Sequence, residues 1–358
     1  MFPYWLLFSI FAAGSLEYRR RQSFAREGNP LLVIAGLFTA LMIGLRYHVG
    51  GDWGNYYRMF EELRYLGFSS ALAYGDPGYS ALNWLAHWLE TEIWFVNLVC
   101  GAIFTWGLIG FARNQPNPWL AVLVGVPYLI IVVAMGYTRQ AVAIGFVMAG
   151  LAALDRGSLL RFALYVLCAV TFHKSAIIVL PIVAVSAARN KIVIVLMLFA
   201  LMAALYYVFV AAGFDMLVAN YIDAQYQSEG AAVRVAMNIP PALLFLTLQK
   251  HFELTAAQRK LWRNFSLAAM FTLGALLVLA SSTAVDRLAL YLIPLQMFVL
   301  SRLPQVFRGR ASTNSHVVLA VIAYSAIIQF VWLNFANNAD YWLPYEVYPI
   351  FTGAYEFV

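Results

Sequence analysis

The sequence predicts an all-α polytopic membrane protein with about twelve transmembrane helices, at roughly 20 apolar residues each. Three observations carry that reading. Apolar residues fill 63% of the 358 positions and charged residues 11%, whereas soluble domains run roughly 45–50% apolar and about 25% charged. Mean hydropathy is +0.75. Apolar runs also recur along the whole chain, and no long hydrophilic segment interrupts them. A soluble chain of this length has too few charges to cover so much apolar surface. A single integral membrane domain over 1–358 is expected.

The runs fall near 3–17, 31–46, 93–112, 119–136, 140–155, 159–172, 175–188, 191–212, 235–249, 264–283, 288–303 and 316–335. The first starts at Met1 with no basic residue before it, and Arg19, Arg20 and Arg21 follow it. A secretory signal carries its positive charge ahead of the apolar stretch, so this reads as a retained helix with its N-terminus outside. Alternating the connections from that start puts sixteen of the 23 Lys and Arg inside and seven outside. The positive-inside rule favours that frame over its inverse.

Topology accounts for the net charge of +6, which in a soluble domain would raise the question of nucleic acid. No nucleic-acid partner is expected. Cys100 and Cys168 both sit in apolar runs, which leaves no disulfide framework and no thiolate metal cluster.

The outer connections carry the chemistry. They read GLRYHVGGDWGNYY at 44–57, YGDPGYSALNW at 74–84, MGYTRQAVA at 135–143, TFHKSA at 171–176 and STAVDRLALY at 282–291. Arg46, Arg139, Lys174 and Arg287 stand on the side that the topology rule disfavours for cations. Each alone fits a plainer reading. An Arg at a helix end snorkels to headgroup phosphates, Asp286 and Arg287 form a neutralised pair, His173 is an interfacial histidine, and Gly50–Gly51 is a turn. Their gathering on one face is what independent snorkelling does not explain.

The segment 47–92 is too charged to cross a bilayer and is expected as a periplasmic loop. Within it Tyr79, Leu82, Leu85, Trp88 and Leu89 recur at helical spacing, which predicts an amphipathic helix lying in the interface, or a plain amphipathic connector.

Cations gathered at the lipid–water boundary suit a phosphate or diphosphate headgroup, because Arg binds phosphate oxygens in bidentate fashion. A nearby carboxylate, Asp52 or Asp76, suits deprotonation of a hydroxyl. Together these are the parts of a glycosyl transfer from a lipid diphosphate. No Asp, Glu or His spacing marks a metal site, so Arg and Lys take the charge-neutralising role and no metal or cofactor is expected. Trp53, Tyr56, Tyr57, Tyr341, Trp342 and Tyr345 offer flat faces for sugars or act as belt anchors.

The ordered set GLRYHVGGDWGNYY, DPGY, YTRQAVA, TFHKSA and DRLALY, from about Leu45 to Tyr291, resembles the EpsG-type branch of bacterial exopolysaccharide and O-antigen polymerases, the Wzy-like proteins. Position by position the family pattern matches Arg46, Gly50, Asp52 and Tyr56, then Arg139 and Gln140, then His173 and Ser175. Gly51 stands where the family more often has Thr, and Asp286 where Glu is common.

The resemblance implies a metal-independent polymerase of the bacterial inner membrane, similar to multi-span membrane glycosyltransferases of the GT-C kind. It would join repeat units carried on undecaprenyl diphosphate at the periplasmic face. Asp52 is then the first choice for the base, with His173 and Asp76 behind it. Arg46, Arg139, Gln140, Lys174, Arg287 and Tyr56 are the candidates for holding diphosphate or substrate. The implied partners are the lipid-linked oligosaccharide and membrane lipids, with a chain-length regulator left open.

Two other classes compete. A flippase or transporter would place ionisable residues near the midplane and show internal repeats, but these spans are nearly free of charge and no half-to-half repeat is visible. A membrane ligase or acyltransferase would need a nucleophile activated by His. Ser175 is close to His173 in sequence, and no third member is evident.

Overall fold

A computed structural model of the chain describes residues 1–20, 29–187, 231–278, 282–307 and 315–348. These residues are helical apart from one two-stranded ladder and the connections. Over their described residues the apolar runs coincide with helix, apart from Leu45 and Arg46 at the end of the second and short turns in those at 235–249 and 288–303; the run at 191–212, positions 188 and 279–281, and Arg21 lie outside the described residues. Four segments are long and apolar enough to cross a membrane: Ile93–Ala112, Ala231–Leu248, Val285–Val306 and Ser315–Phe335. Shorter apolar helices cover Pro30–Gly44, Pro118–Ala134, Leu159–Phe172 and Lys174–Ser186.

The chain divides into two compact units, Met1–Lys174 with Phe307–Val358, and Ser175–Val306. In the first, α1 (Phe2–Arg20) and α2 (Pro30–Gly44) lead to strand β1 (Arg46–Tyr47). The start of α2 is dictated locally: Asn29 Oδ1 accepts from the Leu32 N–H at 3.1 Å, and Pro30 occupies the first turn, where no N–H is needed. Then come α3 (Trp53–Leu63), α4 (Phe68–Tyr74), α5 (Pro77–Trp88), α6 (Ile93–Ala112) and α7 (Pro118–Gly125). The last runs into a π-helical stretch, Val126–Ala134, whose Pro127 has no N–H for the normal ladder. Helices α8 (Thr138–Asp155) and α9 (Leu159–Phe172) complete this part.

The middle of the unit is α8, packed between α6 and α9 and buried on nearly every side, as expected of a helix apolar all round. Glycines make this possible. A Cβ on Gly107 of α6 would stand 1.9 Å from the Gly145 carbonyl oxygen of α8, so the two backbones are in contact. Gly107→Val therefore has to part the helices. It is expected to cost roughly 1–3 kcal/mol as overpacking, read as a lower unfolding temperature of the detergent-purified protein; an unchanged temperature would contradict the close crossing.

The segment 47–92 forms three helices where one interfacial helix was expected. On α5 the stripe read from spacing divides. Tyr79 and Leu82 are buried with Ser80, Asn83 and Ala86, while Leu85, Trp88 and Leu89 are exposed. The buried side joins Tyr56 and Phe60 of α3 in one cluster with Ile93, Val96 and Cys100 of α6. Spacing alone could not separate these faces, because apolar side chains occur on both.

The second unit contains α10 (Val179–Ala187), α11 (Ala231–Ala236), α12 (Ile239–Leu248), α13 (Ala256–Val278), α14 (Ser282–Leu290) and α15 (Ile293–Val306). Pro240 and Pro241 break α11 from α12, and Pro294 breaks α14 from α15, since none supplies a ladder N–H. At the second break Asn238 Nδ2 donates to the Ala289 carbonyl at 3.0 Å and Gln296 donates to Asn238 at 2.8 Å. Trp262 stacks on Phe298 with centroids 3.9 Å apart.

The chain returns to the first unit with α16 (Ser315–Phe335), a 3₁₀ turn at Ala339–Trp342 and strand β2 (Glu346–Val347). Strand β2 pairs antiparallel with β1, Arg46 opposite Val347 and Tyr47 opposite Glu346.

Candidate functional site

Four of the sequence motifs meet in the first unit. Asp76 precedes Pro77, which holds it extended at the start of α5, and its carboxylate makes no capping bond to that helix. Instead Asp76 Oδ2 accepts from Arg139 Nη1 at 2.9 Å. His173, at the C-terminal end of α9, brings Nδ1 to 3.7 Å from the same oxygen. Asp76 is almost fully buried, whereas the Arg139 side chain keeps 35% of its surface exposed. The carboxylate is thus fixed inside, while the arginine side chain that binds it is partly exposed.

The DPGY glycine explains how α5 comes so near α9. A Cβ on Gly78 would stand 2.6 Å from Thr171 Oγ1 and 3.0 Å from the Phe172 ring. A larger residue would push α5, and Asp76 with it, off the end that carries His173.

Tyr56 of α3 forms the wall beside Arg139. The Arg139 Cζ lies 5.7 Å from its ring centroid, and its hydroxyl is 3.5 Å from the Arg139 backbone N–H. Burial pushes the Tyr56 hydroxyl above its ordinary range, while the Arg139 cation pulls it down and the Asp52 charge pushes it up. It therefore remains neutral, and its oxygen accepts from the Arg139 backbone N–H. Tyr79 of α5 follows with ring centroids 5.5 Å from Tyr56. Asp52 itself stands at the start of α3, half-buried and without a side-chain bond to the helix N-terminus.

Arg46, expected to hold diphosphate, is enclosed by the fold. It is 1% exposed. Its guanidinium donates to the Ile43 carbonyl, to the Val49 carbonyl at 3.3 Å, to Asn97 Oδ1 at 3.3 Å and to Thr138 Oγ1 at 2.8 Å. Four of about five N–H donors are taken up by the fold. Arg46 ties α2, the glycine turn, α6 and the first turn of α8 together. Asn97 and Thr138 escaped the sequence reading as site residues; the signal for Asn97 was a lone amide inside an apolar run.

The other candidates distribute as follows. Gln140 is buried in α8, and Lys174 is exposed beside His173. Arg287 belongs to the second unit and is exposed. Asp286, its neighbour in sequence, forms a largely buried ion pair with Arg234 of α11, where α11 and α14 pack together. Ser175 shares a 3.2 Å hydrogen bond with the Tyr291 hydroxyl. Among the aromatic residues considered as sugar faces, Trp342 is buried, and Tyr345 donates its hydroxyl to the Met42 carbonyl at 2.7 Å. Tyr57 and Tyr341 are exposed. Among the described residues no group of three or more His, Cys, Asp or Glu is gathered as a metal ion would need.

The family model described as EpsG family matches residues 30–347. The chain belongs to the EpsG family. No curated protein and no solved structure matches it. The EpsG match runs from the first residue of α2 to the last of β2, so it takes in every motif described above and the C-terminal strand that pairs with β1. EpsG membership, with the apolar helices, points to an exopolysaccharide polymerase type of activity in a membrane protein.

Proposed function

We propose that the protein joins oligosaccharide repeat units carried on undecaprenyl diphosphate, at the periplasmic face of the bacterial inner membrane, within a twelve-span topology whose N-terminus is periplasmic. The observation that carries this reading is the Asp76–Arg139–His173 group, a buried carboxylate between a partly exposed arginine side chain and an imidazole. In the reaction the acceptor hydroxyl of the incoming unit attacks the anomeric carbon of the donor chain. The carbon–oxygen bond to the diphosphate breaks, its electron pair goes to the leaving oxygen, and the hydroxyl proton passes to a base. Arg139, with Lys174 beside the group, neutralises the charge that builds on the departing diphosphate, so the step runs without a metal.

Asp76 Oδ2 is already engaged as the acceptor of a charge-assisted bond from Arg139. Placed against His173 it stabilises the imidazolium that forms when His173 takes the proton. That favours His173 as base with Asp76 as its orienting partner. Asp52, one turn before Tyr56 at the start of α3, is the competing base.

Purified protein in nanodiscs, supplied with a lipid-diphosphate oligosaccharide, tests the reading. The expected product is lengthened glycan on lipid. Movement of the substrate across the bilayer with no lengthening would mean a flippase, and transfer to a different acceptor would mean a ligase; either result refutes the proposal.

A further inference from the structure

Trp342 is 2% exposed, near the end of the described chain, and touches both motifs that open the site. Its indole N–H donates to the Ile131 carbonyl at 2.8 Å, inside the π-helical stretch before α8. Its own carbonyl accepts from the Tyr4 hydroxyl at 2.7 Å. The ring meets Trp332 edge-on at 4.9 Å.

Two glycine turns lie against this ring. A Cβ on Gly136 would stand 2.4 Å from Trp342 Cζ2, and one on Gly51 would stand 3.8 Å from its edge. The turns also touch each other: Gly50, at φ +110°, has room for no Cβ because the Met135 carbonyl oxygen would be 2.3 Å away. The segment around Trp342 is tied to the same loop by the backbone, with Gly50 N–H to Tyr341 carbonyl at 2.8 Å and Tyr348 N–H to Leu45 carbonyl at 2.7 Å.

Gly51 immediately precedes Asp52, and Gly136 lies three residues before Arg139. The indole therefore packs tightly against the turn before α8, while the Gly50–Tyr341 backbone bond ties its segment to the turn before α3. The same indole also donates to a carbonyl within the π-helical stretch that leads to α8. We infer that Trp342 is a positioning residue, a wedge from the C-terminal segment that holds Arg139 in place against Asp76 and Tyr56. The inference rests on the polymerase reading above for its effect on rate.

Trp342→Phe removes the indole N–H and shortens the ring, Gly136→Ala drives a methyl into it, and the double variant gives that methyl room. Each full-length protein is assayed in nanodiscs for glycan lengthening, with rates taken per folded molecule from the monodisperse fraction, beside its Tm. A misplacement of about 1 Å costs on the order of 100-fold in rate, so each single variant is expected to lose roughly 10–100-fold in kcat/KM per folded molecule. The double variant is expected to exceed Gly136→Ala alone, with a fall in Tm smaller than the two single falls added together. A residue that only supports folding would lower yield and Tm while leaving the rate per folded molecule unchanged, and that result overturns the inference. Wild-type protein that lengthens no glycan sinks the polymerase reading alone; the wedge is then judged by Tm, and additive falls overturn it.

Discussion

Asp76→Asn is expected to give a protein that reaches the membrane at near wild-type level and makes no polymer, leaving single lipid-linked units. Asn keeps the shape of the side chain at the start of α5, and that carboxylate makes no capping bond to the helix. What disappears is the negative charge shared by Arg139 and His173. Without it the imidazolium that follows proton transfer loses its partner, and the loss of general-base assistance corresponds to about 10²–10⁴ in turnover. Arg139 keeps its charge in this variant and still meets the diphosphate, so binding of the lipid substrate is expected to change far less than turnover.

Arg139→Ala removes the charge and is expected to weaken both. Arg139→Lys retains the charge but loses the planar fork, so it should fall between. Because Asp76 and Arg139 are bonded, the double variant should lose no more than the worse single one. Analysis of lipid-linked glycans from cells with matched membrane levels reads all four. Full-length polymer from Asp76→Asn with none from Asp52→Asn would move the base to Asp52.

Arg46→Met is expected to fail at an earlier stage, in folding. Its side chain is the donor at four acceptors drawn from four parts of the first unit, and at 1% exposure no water replaces it. A buried acceptor left without its donor costs about 1–3 kcal/mol, and a protein has roughly 5–15 kcal/mol of stability in all. The expected outcome is little or no protein in the membrane fraction and early aggregation in detergent. Arg46→Lys keeps a charge but has three donors on one nitrogen, so it should recover only part of the yield. An Arg46→Met protein with wild-type yield and Tm and no activity would instead make Arg46 a substrate ligand. The two arginines are thus separated by one measurement, since Arg139 variants should be folded and inactive.

Much of the fold was legible because its causes are local. Asn29–Pro30 and Asn117–Pro118 each start a helix by the same capping chemistry, with Asn117 Oδ1 accepting from the Leu120 N–H at 3.1 Å. Prolines at 240, 241 and 294 account for the helix breaks of the second unit. The candidate site was legible as an ordered set of motifs, because polar residues stand out in a chain that is 11% charged. Their roles were not. Arg46 and Arg139 look alike in sequence, as cations on the disfavoured side, yet one is saturated by protein acceptors and the other keeps a third of its surface.

What the sequence by itself determined, then, is an apolar helical chain of the EpsG family whose scarce polar residues gather in five short motifs. Composition and spacing suffice for that, because helix formation and membrane partition depend on each segment's own side chains. Tertiary structure alone decided which distant carboxylate and cation meet: Asp76 with Arg139, and Asp286 with Arg234. It also decided that Trp342 is a packed wedge and not a sugar face. Those outcomes turn on which backbones approach within van der Waals contact, at Gly78, Gly107 and Gly136, and hydrogen bonds and ion pairs form only between groups that such contacts bring within about 3 Å.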